Sequence, residues 1–213
     1  MWKNVLFDLD GTLTDSQEGI LNSVSRALAH FGFQEDRASM RRFLGPPLSE
    51  SLHEYYSLSP EQCAEAIAVF REYFTEKGWL ENKPYPGVET LLRELKDAGL
   101  KLFVATSKPE VQAVRILKHF GLADCFEKIC GAPLGNEDGA KKVSVIRTVL
   151  RSIDGPPDAV MVGDRRHDVA GAHEAGLPCI GVRYGYGDPG ELENAGAEFV
   201  ADDLAALKRM LLN

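Results

Sequence analysis

The chain has 213 residues, 44% of them hydrophobic and 26% charged, a balance that supports a sizeable core in one domain or in one domain carrying an insertion. Its formal net charge of -8 argues against a surface built to track nucleic acid polymers or anionic lipid, and the basic residues fall in short pairs such as Arg41-Arg42, Lys141-Lys142 and Arg165-Arg166. No apolar run reaches the roughly eighteen residues of a membrane span and no signal-peptide pattern precedes the first strand, so a cytoplasmic protein is expected.

Trp2 to Phe7 reads as a buried strand. It emerges at Asp8-Leu9-Asp10-Gly11-Thr12-Leu13, where two carboxylates two positions apart lie on one side of the strand end. Like charges this close raise one pKa unless a cation neutralises them, so the pair points to a bound divalent metal, a proton shuttle or both. The structural alternative is a turn in which Asp8 is a cap, Asp10-Gly11 the corner and Thr12 a local hydrogen-bonder.

After Asp15 the apolar spacing becomes helical. Ile20, Val24, Ala27, Leu28 and Phe31 predict a helix over 18–31, stopped at Gly32, and Cys63, Ile67, Phe70 and Phe74 predict another over 60–77, followed by Gly78. Between them Phe43-Leu44-Gly45-Pro46-Pro47-Leu48 cannot be mid-helix. Residues 15–82 are therefore expected to be all-helical.

From Pro86 onward helix and strand alternate. Helices are predicted over 88–98, 109–120, 142–151 and 168–175, with strands at 100–105, 159–162 and 179–182. A last strand near Phe199-Val200 precedes a helix over 204–212. Such alternation calls for a parallel sheet covered by helices on both faces, with ligands at the carboxyl ends of its strands.

Polar residues cluster at those ends. Asp8-Leu9-Asp10-Gly11-Thr12 closes the first strand, Ala105-Thr106-Ser107-Lys108 the second and Gly163-Asp164-Arg165-Arg166-His167-Asp168 a later one, with Lys141-Lys142 near a helix start between the last two. Taken singly, each has a structural reading. Ser107-Lys108-Pro109-Glu110 fits a capping box, Asp168 a helix cap, Lys142 a solvated charge and His167 plain surface. Gly185-Tyr186-Gly187 reads as a loop. The run from Gly135 to Lys141 fails Walker A spacing and follows no clear strand, which disfavours a nucleotide-driven kinase. Cys63, Cys125, Cys130 and Cys179 form no C-x-x-C pair and read as reduced thiols.

The ordered set of four motifs resembles the haloacid dehalogenase superfamily of phosphotransferases, whose members have an Asp-x-Asp strand end, a Thr or Ser, a Lys and an acidic pair. The resemblance runs from Val5 to Asp168. It implies an α/β fold, with a Rossmann-like doubly wound parallel sheet core at 1–14 and 83–213 and an inserted all-helical C1 cap at 15–82. Gly45-Pro46-Pro47-Leu48, Tyr85-Pro86-Gly87-Val88 and Gly163-Asp164-Arg165 look like the branch of phosphoglycolate phosphatases and related 5'-nucleotidases.

In that family Asp8 would be nucleophile and metal ligand, and Asp10 the general acid and base that also offers its backbone carbonyl to the metal. Asp164 would be the third ligand of Mg2+, and Asp168 would reach it through water or orient its neighbours. Thr106 and Lys142 would bind the phosphoryl group with the amides of Leu9, Gly11 and Ser107. Lys141 is the alternative to Lys142, because the family's usual proline after the lysine is replaced here by Val143.

The function implied is Mg2+-dependent hydrolysis of a small-molecule phosphate ester, phosphoglycolate or a nucleoside monophosphate, through an aspartyl phosphate. A sugar-phosphate mutase and a non-catalytic phosphometabolite-binding regulator are the alternatives. A dehalogenase is disfavoured because it leaves Asp10 and Asp164 without work. The cap would close by hinges near Thr14-Asp15 and Asn82 to Pro86, and Arg42 is the candidate grip for a second anionic group on the substrate. A monomer and a homodimer are equally compatible with the sequence.

Overall fold

The structure is a computed structural model, and it describes residues 2–133, 141–154 and 157–212. Along the chain, β1 (Asn4–Phe7) and β2 (Thr14–Asp15) precede α1 (Gln17–His30), α2 (Arg37–Met40), α3 (Leu48–Tyr56), α4 (Pro60–Glu76) and β3 (Lys83–Pro84). There follow α5 (Val88–Asp97), β4 (Lys101–Pro109), α6 (Glu110–His119), β5 (Lys128–Ala132) and α7 (Lys142–Leu150). The chain ends through β6 (Ala159–Gly163), α8 (Arg166–Glu174), β7 (Cys179–Val182), α9 (Glu191–Asn194), β8 (Phe199–Ala201) and α10 (Leu204–Leu212). Two compact units result, Met1–Thr14 with Pro84–Asn213 and Asp15–Lys83.

The larger unit is an α/β core on a six-stranded sheet of order β5-β4-β1-β6-β7-β8, with every adjacent pair parallel. β1 is in register with both neighbours, Val5 facing Leu102 on one side and Val160 on the other. All four residues of β1 are buried, as a strand covered on both faces requires. The period of two then sorts the core. Val5, Phe7, Leu102, Val104, Val160 and Val162 join one cluster with Leu92 and Leu95 of α5 and Leu207 and Leu211 of α10. Leu6, Phe103, Ala105, Ala159 and Met161 join the other with Val145, Ile146 and Val149 of α7 and Val169 of α8. Each fully buried leucine contributes about 1.5–3 kcal/mol by leaving water, so truncating Leu6 or Leu92 to alanine costs about 2–5 kcal/mol.

This winding has a chemical consequence. The chain builds outward from β1 through β4 to β5, then returns to the other side of β1 for β6, β7 and β8. The order reverses at β1, and a crevice opens at the carboxyl ends where neighbouring connections diverge. Asp8 follows β1, Thr106 to Pro109 finish β4, and Asp164 follows β6.

Two local expectations fail in this unit. Ser107 to Glu110 do not form a capping box: β4 runs on through Pro109, which itself precedes α6 with extended backbone and makes no side-chain cap. β5 was not anticipated, because Lys128–Ala132 has only five residues and a glycine among them. A strand therefore does precede the glycine-rich run read as lacking one, although 135–140 of that run lie outside the described residues.

The smaller unit is helical. α1 packs on α4, burying Leu21, Val24, Ala27 and Leu28 of the first and Cys63, Ala66 and Phe74 of the second. α4 starts where its sequence dictates: Pro60 occupies the first turn, the Gln62 amide donates to Ser59 Oγ at 3.3 Å, and the Ser59 amide donates to Gln62 Oε1 at 2.9 Å. α3 begins directly after Pro47, so the segment expected not to be mid-helix ends at a helix start.

Candidate active site

The strand ends bring Asp8, Asp164 and Asp168 together, with a carboxylate oxygen from each within 4.8 Å of the others and all three residues buried. The ammonium of Lys142 enters from the start of α7 and pairs with Asp8 Oδ1 at 2.8 Å and Asp168 Oδ1 at 2.7 Å, while donating to Ala105 O at 3.1 Å. Lys142 lies along Gly171 of α8, where any Cβ would overlap its side chain. Lys142 is thus the lysine at the cluster, whereas Lys141 stands just before α7.

Asp164 is held on both oxygens. Thr12 Oγ1 donates to its Oδ1 at 3.3 Å and the Tyr186 amide to its Oδ2 at 2.7 Å. Gly11 makes this approach possible, since its φ of +83° needs no Cβ and a Cβ there would overlap the Asp164 carboxylate. Asp168 is the third residue of α8 rather than its cap, and its Oδ2 accepts from the Arg165 amide at 3.0 Å. Asp10 lies apart from the trio. Its Oδ2 pairs at 2.6 Å with Lys108, whose side chain is only 6% exposed.

The remaining anticipated residues are placed as follows. Thr106 is buried at the end of β4, with its Oγ1 accepting from the Lys108 amide at 3.3 Å, and Ser107 is half-buried beside it. Leu9 buries its side chain in the core, and its carbonyl accepts from the amides of Thr12, Leu13 and Thr14. Gly11 departs from expectation: its amide donates to Thr14 O at 2.8 Å and closes the turn, so it is not an open phosphate donor. Arg42 is engaged within the helical unit, pairing with Glu35 Oε1 at 2.6 Å and lying 4.1 Å from the centre of the Tyr55 ring.

Three contributors escaped the sequence reading. Lys108 looked like part of a cap, but the extension of β4 carries it 98 residues along the chain to Asp10. Gly185-Tyr186-Gly187 looked like a plain loop, yet Tyr186 holds Asp164 and a Cβ on either glycine would overlap Asp164. A glycine pair flanking an aromatic just after β7, at the same sheet end as both acidic motifs, was the available signal. Tyr184 adds a third tie through its hydroxyl, which donates to Thr12 O at 3.1 Å. His167 is half-buried rather than exposed, and burial first, then Arg166 and Arg165, push its pKa down.

The electrostatics follow from these distances. Burial is the main cause that raises Asp8 to about 6, with Asp168 and Asp10 adding and Lys142 opposing. Burial, then Asp168 and Asp8, lift Asp164 well above the carboxylate range against the Tyr186 amide. Burial disfavours the Lys142 ammonium, but Asp168 and Asp8 outweigh it and its pKa rises. With all three carboxylates ionised, the Lys142 ammonium offsets one of them and two negative charges remain in a desolvated site, which is why Asp8 and Asp164 resist ionisation there. An all-oxygen donor set with that excess fits a hard dication.

Comparison with known proteins is consistent with this geometry. The family model described as haloacid dehalogenase-like hydrolase matches residues 5–182. A 5'-nucleotidase of Pseudomonas aeruginosa is 42% identical over 99% of this chain and 96% of its own. The tyrosine-protein kinase PtkA of Mycobacterium tuberculosis is 43% identical over 86% of this chain, which spans 62% of that longer protein. A phosphoglycolate phosphatase of Vibrio cholerae is 30% identical over 99% of this chain and 97% of its own. Among solved structures, a predicted phosphatase from Clostridium acetobutylicum superposes with a TM-score of 0.94 at 48% identity, covering 100% of this chain and 99% of that one.

Proposed function

We propose, from the premise that this chain belongs to the haloacid dehalogenase-like hydrolases and is a phosphatase, that it hydrolyses a small phosphomonoester through an aspartyl phosphate on Asp8. The observation that carries this reading is the buried Asp8, Asp164 and Asp168 trio with the Lys142 ammonium among it. A carboxylate nucleophile repels a phosphate dianion, so attack requires positive charge fixed at the phosphoryl oxygens.

Asp8, the backbone carbonyl of Asp10 and Asp164 are the residues to hold a Mg2+ ion, with Asp168 behind them. Bound there, the ion supplies charge stabilisation worth several kcal/mol. The protein's own groups do the rest. An Asp8 carboxylate oxygen forms the new bond to phosphorus as the bond from phosphorus to the ester oxygen breaks, and the Asp10 carboxyl gives its proton to the departing alkoxide. Water then attacks the aspartyl phosphate, Asp10 takes a proton from it, and Asp8 is freed with release of inorganic phosphate. Thr106 and the Ser107 amide steady the phosphoryl oxygens, Lys142 holds Asp8 and Asp168 in place, and Lys108 orients Asp10. General acid-base work of this kind is worth roughly 10²- to 10⁴-fold.

Relatives named 5'-nucleotidase and phosphoglycolate phosphatase support a nucleoside monophosphate or phosphoglycolate as substrate. In this reading the helical unit is the cap that selects between them. The test is inorganic phosphate release across a panel of phosphomonoesters, with Mg2+ or with chelator, for wild type and Asp8→Asn. Release that needs Mg2+ and vanishes in Asp8→Asn is expected. Turnover without inorganic phosphate, its phosphoryl group passed to a second metabolite or to a tyrosine, would replace hydrolysis by transfer. Activity that survives in Asp8→Asn removes the nucleophile.

A further inference from the structure

The segment after β7 makes an unusual number of ties to one residue. Tyr186 gives its amide to Asp164 Oδ2, Tyr184 gives its hydroxyl to the carbonyl of Thr12, and Thr12 in turn donates to Asp164 Oδ1. Gly185 and Gly187 lie so close to Asp164 that neither position has room for a Cβ. One side chain further along ties this loop to the segment that follows Asp164. Glu191 Oε1 accepts from Arg165 Nε at 2.9 Å and from the Arg166 amide at 2.8 Å, while its Oε2 accepts from the Asp188 amide at 3.1 Å. Arg165 is the chain neighbour of Asp164, and Asp188 is two residues beyond Tyr186. One carboxylate therefore closes a ring that runs from Asp164 through Arg165, Glu191 and Asp188 to the Tyr186 amide and back to Asp164.

We infer that Glu191 is a positioning residue for Asp164, and that through this ring it sets the affinity of the acidic trio for a divalent cation. The inference rests on the cation-holding role given to Asp164 above. Glu191 adds no net charge to the site, because its partner Arg165 offsets it, and the two side chains are only 10% and 11% exposed. Its contribution is geometric. Cutting the tie at Asp188 loosens the loop that gives the Tyr186 amide to Oδ2, and leaves Asp164 with the longer Thr12 hydrogen bond in a site where its neighbours repel it. Burial alone would raise the Glu191 pKa, yet Arg165 and the two amides outweigh it and lower the pKa, so the clasp is made by the ionised form.

Groups that orient a metal ligand from behind typically change affinity by about ten- to a hundredfold when removed. The experiment is titration of the full chain with Mg2+ alone by calorimetry, on wild type, Glu191→Ala, Glu191→Gln and the charge-neutral double variant Arg165→Ala with Glu191→Ala. The Kd for Mg2+ should weaken by about tenfold or more in each variant. The Mg2+ concentration for half-maximal phosphate release should rise by the same factor, with KM for the ester at saturating Mg2+ unchanged. Should the alanine variant not fold, the Gln variant keeps the side-chain volume and gives the same reading. Wild type that binds Mg2+ alongside variants that bind it equally well overturns the role of Glu191 alone. Wild type that does not bind Mg2+ overturns the cation-holding reading of the trio instead.

Discussion

The core and the helical unit handle charge in opposite ways. In the helical unit, polar and charged groups face partners of their own in or near water: His30 meets Glu65 at 2.7 Å with 43% and 57% of their side chains exposed, and Arg42 pairs with Glu35. At the strand ends of the core, Asp8 and Lys142 meet at 13% and 6% exposure, and the trio around them, when fully ionised, is short of two positive charges. Exposed pairs contribute about 0–1 kcal/mol and say little about function. A buried imbalance is costly unless something else balances it, and it therefore marks where a ligand belongs.

The largest expected effect comes from removing the Lys142 ammonium. Lys142→Met leaves three buried carboxylates facing each other, and breaking such a pair costs about 3–5 kcal/mol. The loss should appear in urea unfolding of metal-free protein at pH 8 and shrink as pH falls and the carboxylates take up protons, Asp8 doing so at a higher pH than in the wild type because Lys142 no longer lowers its pKa. Phosphatase activity should drop by about 10³-fold. A variant as stable as wild type at pH 8 would mean the imbalance is not real.

Metal supply is the next test. The folded-state pKa of Asp8 is raised above its unfolded value, so its contribution favours the fold at low pH and is lost as pH rises through about 6. A cation that binds the ionised trio restores what is lost. Added Mg2+ at a hundred times its Kd should stabilise the protein by about 2.7 kcal/mol at pH 8 and by much less at pH 4.5, as read by thermal unfolding. Equal gains at both pH values would place the cation elsewhere. Smaller again is Lys108→Met, which leaves Asp10 in place but unheld. About a tenfold fall in kcat with KM little changed is expected, and a change in KM alone would make Lys108 a substrate contact instead.

Which of these residues could be read in the sequence depends on how local their cause is. Asp8 and Asp10 were legible because a run of apolar residues ending in Asp-x-Asp-Gly defines both the strand and its exit. Asp164, Asp168 and Lys142 were legible as members of an ordered set on one predicted sheet. β5 was not, since five residues interrupted by glycine carry too little periodicity to stand out. Lys108 was misread because Pro109-Glu110 looks like a helix start, and only the observed run of β4 through Pro109 directs its side chain to Asp10. The ties from Tyr184, Tyr186 and Glu191 depend on β7 lying next to β6, a neighbour relation set by sheet order and not by any local pattern.

Arg42 puts the contrast between the two units to its finest test. In sequence it stood beside the Gly45-Pro46-Pro47 loop as a free cation able to grip a carboxylated or bisphosphorylated substrate. In the fold its guanidinium is held by Glu35, donates to the Tyr56 hydroxyl at 3.3 Å and stacks over Tyr55. Glu35 neutralises the charge that would draw a second anion, and the ring contact adds about 0.5–1 kcal/mol to the local packing. Arg42→Ala should therefore cost about 1 kcal/mol in urea unfolding and change KM for phosphoglycolate and for a neutral-tailed phosphomonoester by the same small factor. A rise in KM confined to the carboxylated ester would show Arg42 exchanging Glu35 for substrate, and the helical unit's charges would then belong to the chemistry as well.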